Sequence, residues 1–202
     1  MKYKWLNKGN NKHIIIFFNG WGMDETVVKH LDTTIFDVLM FYNYNSLDTD
    51  FDFSILNEYC HKHLIAWSMG VMIASLFPDI YESKTAINGT LKPIDIDFGI
   101  NPKIYNLTIN GFNENSCKKF IQNMFNSKIN LEITRKLEEL KNELTAIKNY
   151  SANVNFKYDK IFISSNDKII PTKSQVSFWN IEPNLEEGHC PFFSFNKWSE
   201  LL

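Results

Sequence analysis

A serine, an aspartate and a histidine stand in a chain order that could cleave an ester. Ser68 lies in "AWSMG" (66–70), where an apolar run, "HLIAW" (63–67), meets an apolar helical pattern that begins at residue 69. A chain that turns from strand to helix at one residue needs strained dihedrals there. It also needs small residues two positions before and after, because the two backbones nearly touch. Ala66 and Gly70 fill those positions. Such a turn lifts the serine oxygen above a sheet at a helix N-terminus, where free N–H groups favour negative charge. The plain alternative is a strand–turn–helix with an incidental serine.

A serine hydroxyl attacks only if a base takes its proton, and the base must be oriented by an acid. Around this kind of turn the chain order is Ser, then Asp or Glu, then His. Of five histidines (13, 30, 61, 63 and 189) only His189 follows Ser68; it sits in "EEGHCPFF". That segment reads as a loop past the last strand. "KIFISSNDKIIP" places Asp167 just beyond a strand at 160–165, whereas Asp159 precedes that strand, at the wrong end. Asp167 could instead cap a turn; Asp95 and Asp97 are the fallback acids.

Two N–H groups must hold the oxyanion. Met69 directly follows the nucleophile and offers one. The loop "FFNGWGMD" offers the other: Gly20 and Gly22 free its backbone, so the Trp21 N–H can face inward while the indole walls the pocket. In isolation, a glycine turn anchored by a tryptophan would look the same.

These residues need a parallel sheet to position them. Continuous apolar runs at 13–18, 35–42, 63–67, 84–88 and 160–165, and more weakly at 176–179, suit strands buried on both faces. Helical patterns at 24–32, 52–61 and 69–78 alternate with them, which predicts an α/β fold of one domain, residues 1–202. From about 110 to 150 no strand interrupts two helical patterns, with Leu137, Leu140, Leu144 and Ile147 on one face. This stretch, extended to about 155, is either a small helical lid over one sheet edge or an ordinary excursion packed on the sheet.

Composition narrows the function. A net charge of −2 gives no general pull toward nucleic acid or anionic membrane. No apolar run is long enough to span a bilayer, and the first residues lack a signal-peptide core. Three cysteines without metal-ligand spacing suit free thiols in a reducing compartment, so the cytosol is expected. No metal or cofactor is called for.

"FNGWGMD", "AWSMG", "AINGT" with "PID" after it, "SSNDKIIP" and "GHCPF" together resemble the short pimeloyl-acyl-carrier-protein methyl esterases called BioG, over nearly the whole chain. The loop at 20–22 and "GHCPF" are also similar to BioH, a larger esterase with the same role. The resemblance implies a compact α/β-hydrolase-like fold with a mostly parallel sheet. It implies removal of a methyl ester from pimeloyl carried on acyl carrier protein, in biotin precursor synthesis. Ser68 would be the nucleophile, His189 the base and acid, and Asp167 the orienting carboxylate, with Trp21 and Met69 at the oxyanion. Phe120, in "KKFIQNM", would contact the substrate chain, and Trp21 and Met124 would line its pocket.

Acyl carrier proteins are acidic, so a docking face should be basic. Residues 110–157 hold eight basic side chains (Lys118, Lys119, Lys128, Arg135, Lys136, Lys141, Lys148 and Lys157) against five glutamates. Lys118 and Lys119 are the expected docking pair, while "RKLEELKNELTAIK" reads as a solvated, mixed-charge helix face. Two other readings remain open. One is an acyl thioesterase or broad carboxylesterase on the same three residues; the other is a non-catalytic module that binds acyl carrier protein.

Overall fold

The structure, a computed structural model, describes residues 1–125, 131 and 134–202. Lys128 and the middle of the predicted helical stretch lie outside these residues. Six strands form one sheet in the order β1-β3-β2-β4-β5-β6. They are β1 (Lys2–Asn7), β2 (His13–Phe18), β3 (Asp37–Tyr42), β4 (His61–Trp67), β5 (Ser83–Ile87) and β6 (Lys160–Phe162). β1 runs antiparallel to β3 and every other pairing is parallel. The central strands read as continuous apolar runs because both faces are covered: Ile14, Ile16 and Phe18 face one core cluster, Ile15 and Phe17 the other.

Among the described residues, five α-helices join the sheet: α1 (Met69–Ala74), α2 (Pro102–Asn110), α3 (Glu114–Met124), α4 (Leu137–Ile147) and α5 (Thr172–Trp179). α2, α3 and α4 all fall between β5 and β6, so the helical excursion begins at Pro102, earlier than the pattern from 110 indicated. α3 opens with a capping box in which Asn113 accepts from the Ser116 N–H and Ser116 answers to the Asn113 N–H. Among the described residues, no helix is long and apolar enough to cross a membrane.

Several expected elements change. The segment at 24–32 forms only a 3-10 turn, Glu25–Val27, capped by Asp24; its Thr and two Val are stiff at χ1 and favour no long helix. The segment at 52–61 is a 3-10 helix, Phe53–Glu58, because β4 begins already at His61. α1 stops at Ala74 rather than 78, since Pro78 bars helical geometry just before it. The run 176–179 is the end of α5, not a strand: Gln175 on this helix is fully buried and reaches Asp167. β1 was not expected. Its alternation of Lys2 and Lys4 with Tyr3 and Trp5 is the pattern of an edge strand with one face packed.

Candidate active site

Ser68 sits where β4 gives way to α1, with φ 58° and ψ −126°. That left-handed conformation costs a non-glycine residue about 1–3 kcal/mol and persists only where its surroundings enforce it. Here the enforcement is steric. A Cβ on Gly70 would lie 2.3 Å from the Phe18 carbonyl oxygen and 2.6 Å from that of Asn19, both at the end of neighbouring β2. Ala66 is fully buried on the other side of the turn. Because the obstacles are backbone, Gly70→Ala should lower the urea midpoint by the equivalent of about 1–3 kcal/mol with an unchanged m-value.

The structure brings Ser68, Asp167 and His189 into one hydrogen-bonded chain. Ser68 Oγ lies 2.8 Å from His189 Nε2, and His189 Nδ1 lies 2.7 Å from Asp167 Oδ2. With the Nδ1–H donated to the carboxylate, Nε2 is left to accept the serine proton. Asp167 leaves β6 and caps its own turn: its Oδ1 accepts from the N–H groups of Ile169 (2.8 Å) and Ile170 (3.1 Å), while Oδ2 also accepts from Gln175 Nε2 (2.9 Å). One carboxylate thus both caps the turn and contacts the imidazole. Asp95 spends its Oδ1 on the N–H groups of Asp97 and Phe98. Cys190, next in sequence to His189, is buried in the core cluster with Met124 and Phe192, and that burial pushes its thiol above the usual range.

Two residues that the sequence reading passed over hold the histidine loop. Asn88, at the end of β5 with φ 45°, donates from Nδ2 to the carbonyl oxygens of His189 (2.9 Å) and Gly188 (3.2 Å), and to Ser164 Oγ (2.7 Å). Trp67 donates its indole N–H to the same His189 oxygen at 2.8 Å. The available signal was an asparagine directly after the apolar pair Ala86–Ile87, where burial demands that every polar atom be paired.

Above Ser68 lies a cavity of about 490 Å³. Trp21, Met69 and Phe120 line it, with Ile104, Tyr105 and Leu144 from the inserted helices. Trp21 packs edge-on against Phe120, ring centroids 4.8 Å apart. Lys119 and Lys168 stand at the margin of this largely apolar space, both exposed. Lys168, next to Asp167, was not singled out from the sequence. Lys118 is exposed but does not line the cavity.

Two expectations are corrected. Met124 does not line the cavity: its side chain is fully buried in the opposite core cluster with Phe192 and Cys190, and its carbonyl accepts the Cys190 N–H at 3.0 Å. Nor is Arg135 part of a solvated basic face. Its guanidinium Nη1 pairs with Glu143 at 2.7 Å, and the Glu143 side chain is fully buried.

The chain matches the family described as pimeloyl-ACP methyl esterase BioG over residues 1–201. The crystal structure of BioG from Haemophilus influenzae superposes with a TM-score of 0.87 at 32% identity, over 100% of this chain and 99% of that one. A malonyl-[acyl-carrier protein] O-methyltransferase of Bacteroides fragilis is 38% identical over 181 residues. Those residues are 83% of this chain and 36% of that protein, so the chain spans about a third of this curated relative. Naproxen esterase from Bacillus subtilis has a TM-score of 0.54 at 11% identity, covering 93% of this chain and 80% of that one, a likeness of fold alone. An α/β-hydrolase-like sheet, a serine at its sharpest turn and a match over residues 1–201 lead to one conclusion: this chain belongs to the BioG family of enzymes.

Proposed function

We propose that the chain is a serine carboxylesterase that removes the methyl ester from pimeloyl carried on acyl carrier protein. The observation that carries this reading is the Ser68–His189–Asp167 chain opening into an apolar cavity, in a member of the BioG family. His189 takes the proton as Ser68 Oγ attacks the ester carbon. The carbonyl electron pair moves onto oxygen, where the N–H groups of Met69 and Trp21 receive it. His189 then protonates the departing methoxide, releasing methanol and leaving an acyl-enzyme. Water, deprotonated by the same imidazole, breaks the acyl-enzyme to the free carboxylate and restores Ser68.

Methanol is too small to be recognised, so selectivity rests on the acyl side. Phe120, Trp21 and Leu144 give the methylene chain an apolar wall. α2, α3 and α4 act as the lid above Ser68. Lys119 on α3 and Lys168 present positive charge at the mouth to an acidic carrier protein, and Lys118, exposed on α3, adds to it outside the cavity.

Intact-protein mass spectrometry of methyl pimeloyl acyl carrier protein should show a loss of about 14 Da after incubation with the enzyme, as expected for ester to acid. Loss of the whole acyl group would instead identify a thioesterase. An unchanged carrier mass, in a preparation that a fluorophosphonate labels, would mean that the ester substrate is a different one.

A further inference from the structure

The loop that carries the Trp21 N–H is fastened to the sheet, where the Asn19 N–H donates to the Phe41 carbonyl at 3.0 Å, and also to the inserted helix α4. The Trp21 indole N–H donates to the Leu140 carbonyl at 3.0 Å, and Gly22, at φ 75°, lies against the Leu140 side chain. Glu143, one turn further along α4, reaches the start of the loop through Tyr44. Its Oε1 accepts from the Tyr44 N–H at 2.7 Å, and the Tyr44 hydroxyl donates to the Asn19 carbonyl at 2.7 Å. Asn19 in turn accepts the Gly20 N–H on its own Oδ1 at 2.9 Å.

A fully buried carboxylate is an expensive way to hold a loop. Burial pushes Glu143 upward from the ordinary carboxylate range, and Arg135 opposes that shift from 2.7 Å away. Arg135 is the one arginine in the chain. An apolar residue at 143 would fit the face made by Leu140, Leu144 and Ile147 and would avoid the desolvation cost. The pair thus does something that simple packing would not.

We propose that Glu143, paired with Arg135, is a positioning residue for the oxyanion site: from α4 it fixes, through Tyr44, the start of the loop at 19–22, so the Trp21 N–H is correctly placed only while α4 is seated. This rests on the reading of Trp21 as an oxyanion donor. It makes the inserted helices part of the catalytic geometry as well as a cover for the substrate.

Two double variants separate placement from folding. Arg135→Met with Glu143→Leu removes both charges and the acceptor but keeps the volume. Arg135→Gln with Glu143→Gln also removes the charges yet leaves an amide oxygen to accept from Tyr44. With p-nitrophenyl acetate, the apolar pair should lose about tenfold to a hundredfold in kcat, part of the cost of deleting an oxyanion donor outright, while KM moves less than about twofold. Affinity for a trifluoromethyl ketone, whose Ser68 adduct places an alkoxide at the oxyanion site, should fall in parallel. The glutamine pair should recover most of both, and Glu138→Gln, an exposed charge on the same helix, should change neither.

If the apolar pair keeps kcat and ketone affinity and lowers only the melting temperature, Glu143 is merely structural and the proposal is wrong. If the unmodified enzyme is not labelled at Ser68 by a fluorophosphonate, the functional reading fails first and the proposal with it. Should the apolar pair not fold, Trp21→Phe decides. It removes the tether to Leu140 with the charges intact, and unchanged ketone affinity there would equally overturn the proposal.

Discussion

Ser68→Ala should lower kcat by about a million-fold and leave the fold unchanged. The hydroxyl is nearly fully buried and its hydrogen bond runs to His189 Nε2, so its removal strips the site of its nucleophile without disturbing packing. Backbone strain at φ 58° is the same for alanine as for serine, which keeps the turn as it is. The check is kcat on methyl pimeloyl acyl carrier protein beside a thermal melt. A variant that melts like the parent but turns over substrate at more than a trace would move the nucleophile elsewhere.

Asp167→Asn should cost about ten-thousand-fold in kcat, the scale seen when an orienting carboxylate is replaced by its amide. The local hydrogen bonds dictate why. Oδ1 accepts two backbone N–H groups, from Ile169 and Ile170, so an asparagine must keep its oxygen there and turn its NH₂ toward His189. That NH₂ would face Nδ1 as a donor and force the proton onto Nε2, which could then no longer accept from Ser68. Asp95→Asn should be near neutral, since Asp95 is engaged with its own turn. The two variants are compared by kcat and by the rate of fluorophosphonate labelling; a large loss in Asp95→Asn with none in Asp167→Asn would exchange their roles.

The parts of the fold that sequence made legible are those where one physical demand dominates. Central strands buried on both faces have to be apolar throughout, so β2, β3 and β4 stood out. The turn at Ser68 stood out because close backbone approach tolerates only small neighbours, and Ala66 and Gly70 supply them. His189 was legible by position in the chain. Elements whose signal is mixed were lost: β1 alternates lysines with aromatics, and α5 carries a β-branched, aromatic stretch that a buried Gln175 recruits into a helix. At the site, Glu143 was hidden because "RKLEELKNELTAIK" has the charge content of a solvated helix. Its place on the same face as Leu140, Leu144 and Ile147 was the overlooked sign. Asn88 was hidden because its work, holding the His189 carbonyl 101 residues away, is invisible in local pattern.

The distance in sequence between Ser68 and His189, 121 residues, also sets an order of events during synthesis. β1 to β5, the turn at Ser68 and the loop at 19–22 all lie within the first 88 residues. They can pair as they leave the ribosome, since early segments fold while later ones are still being made. The acid arrives with β6 and the base only with the segment around residue 189. A nascent chain therefore displays Ser68 without the His189 imidazole beside it until the closing stretch docks against Asn88 and Trp67.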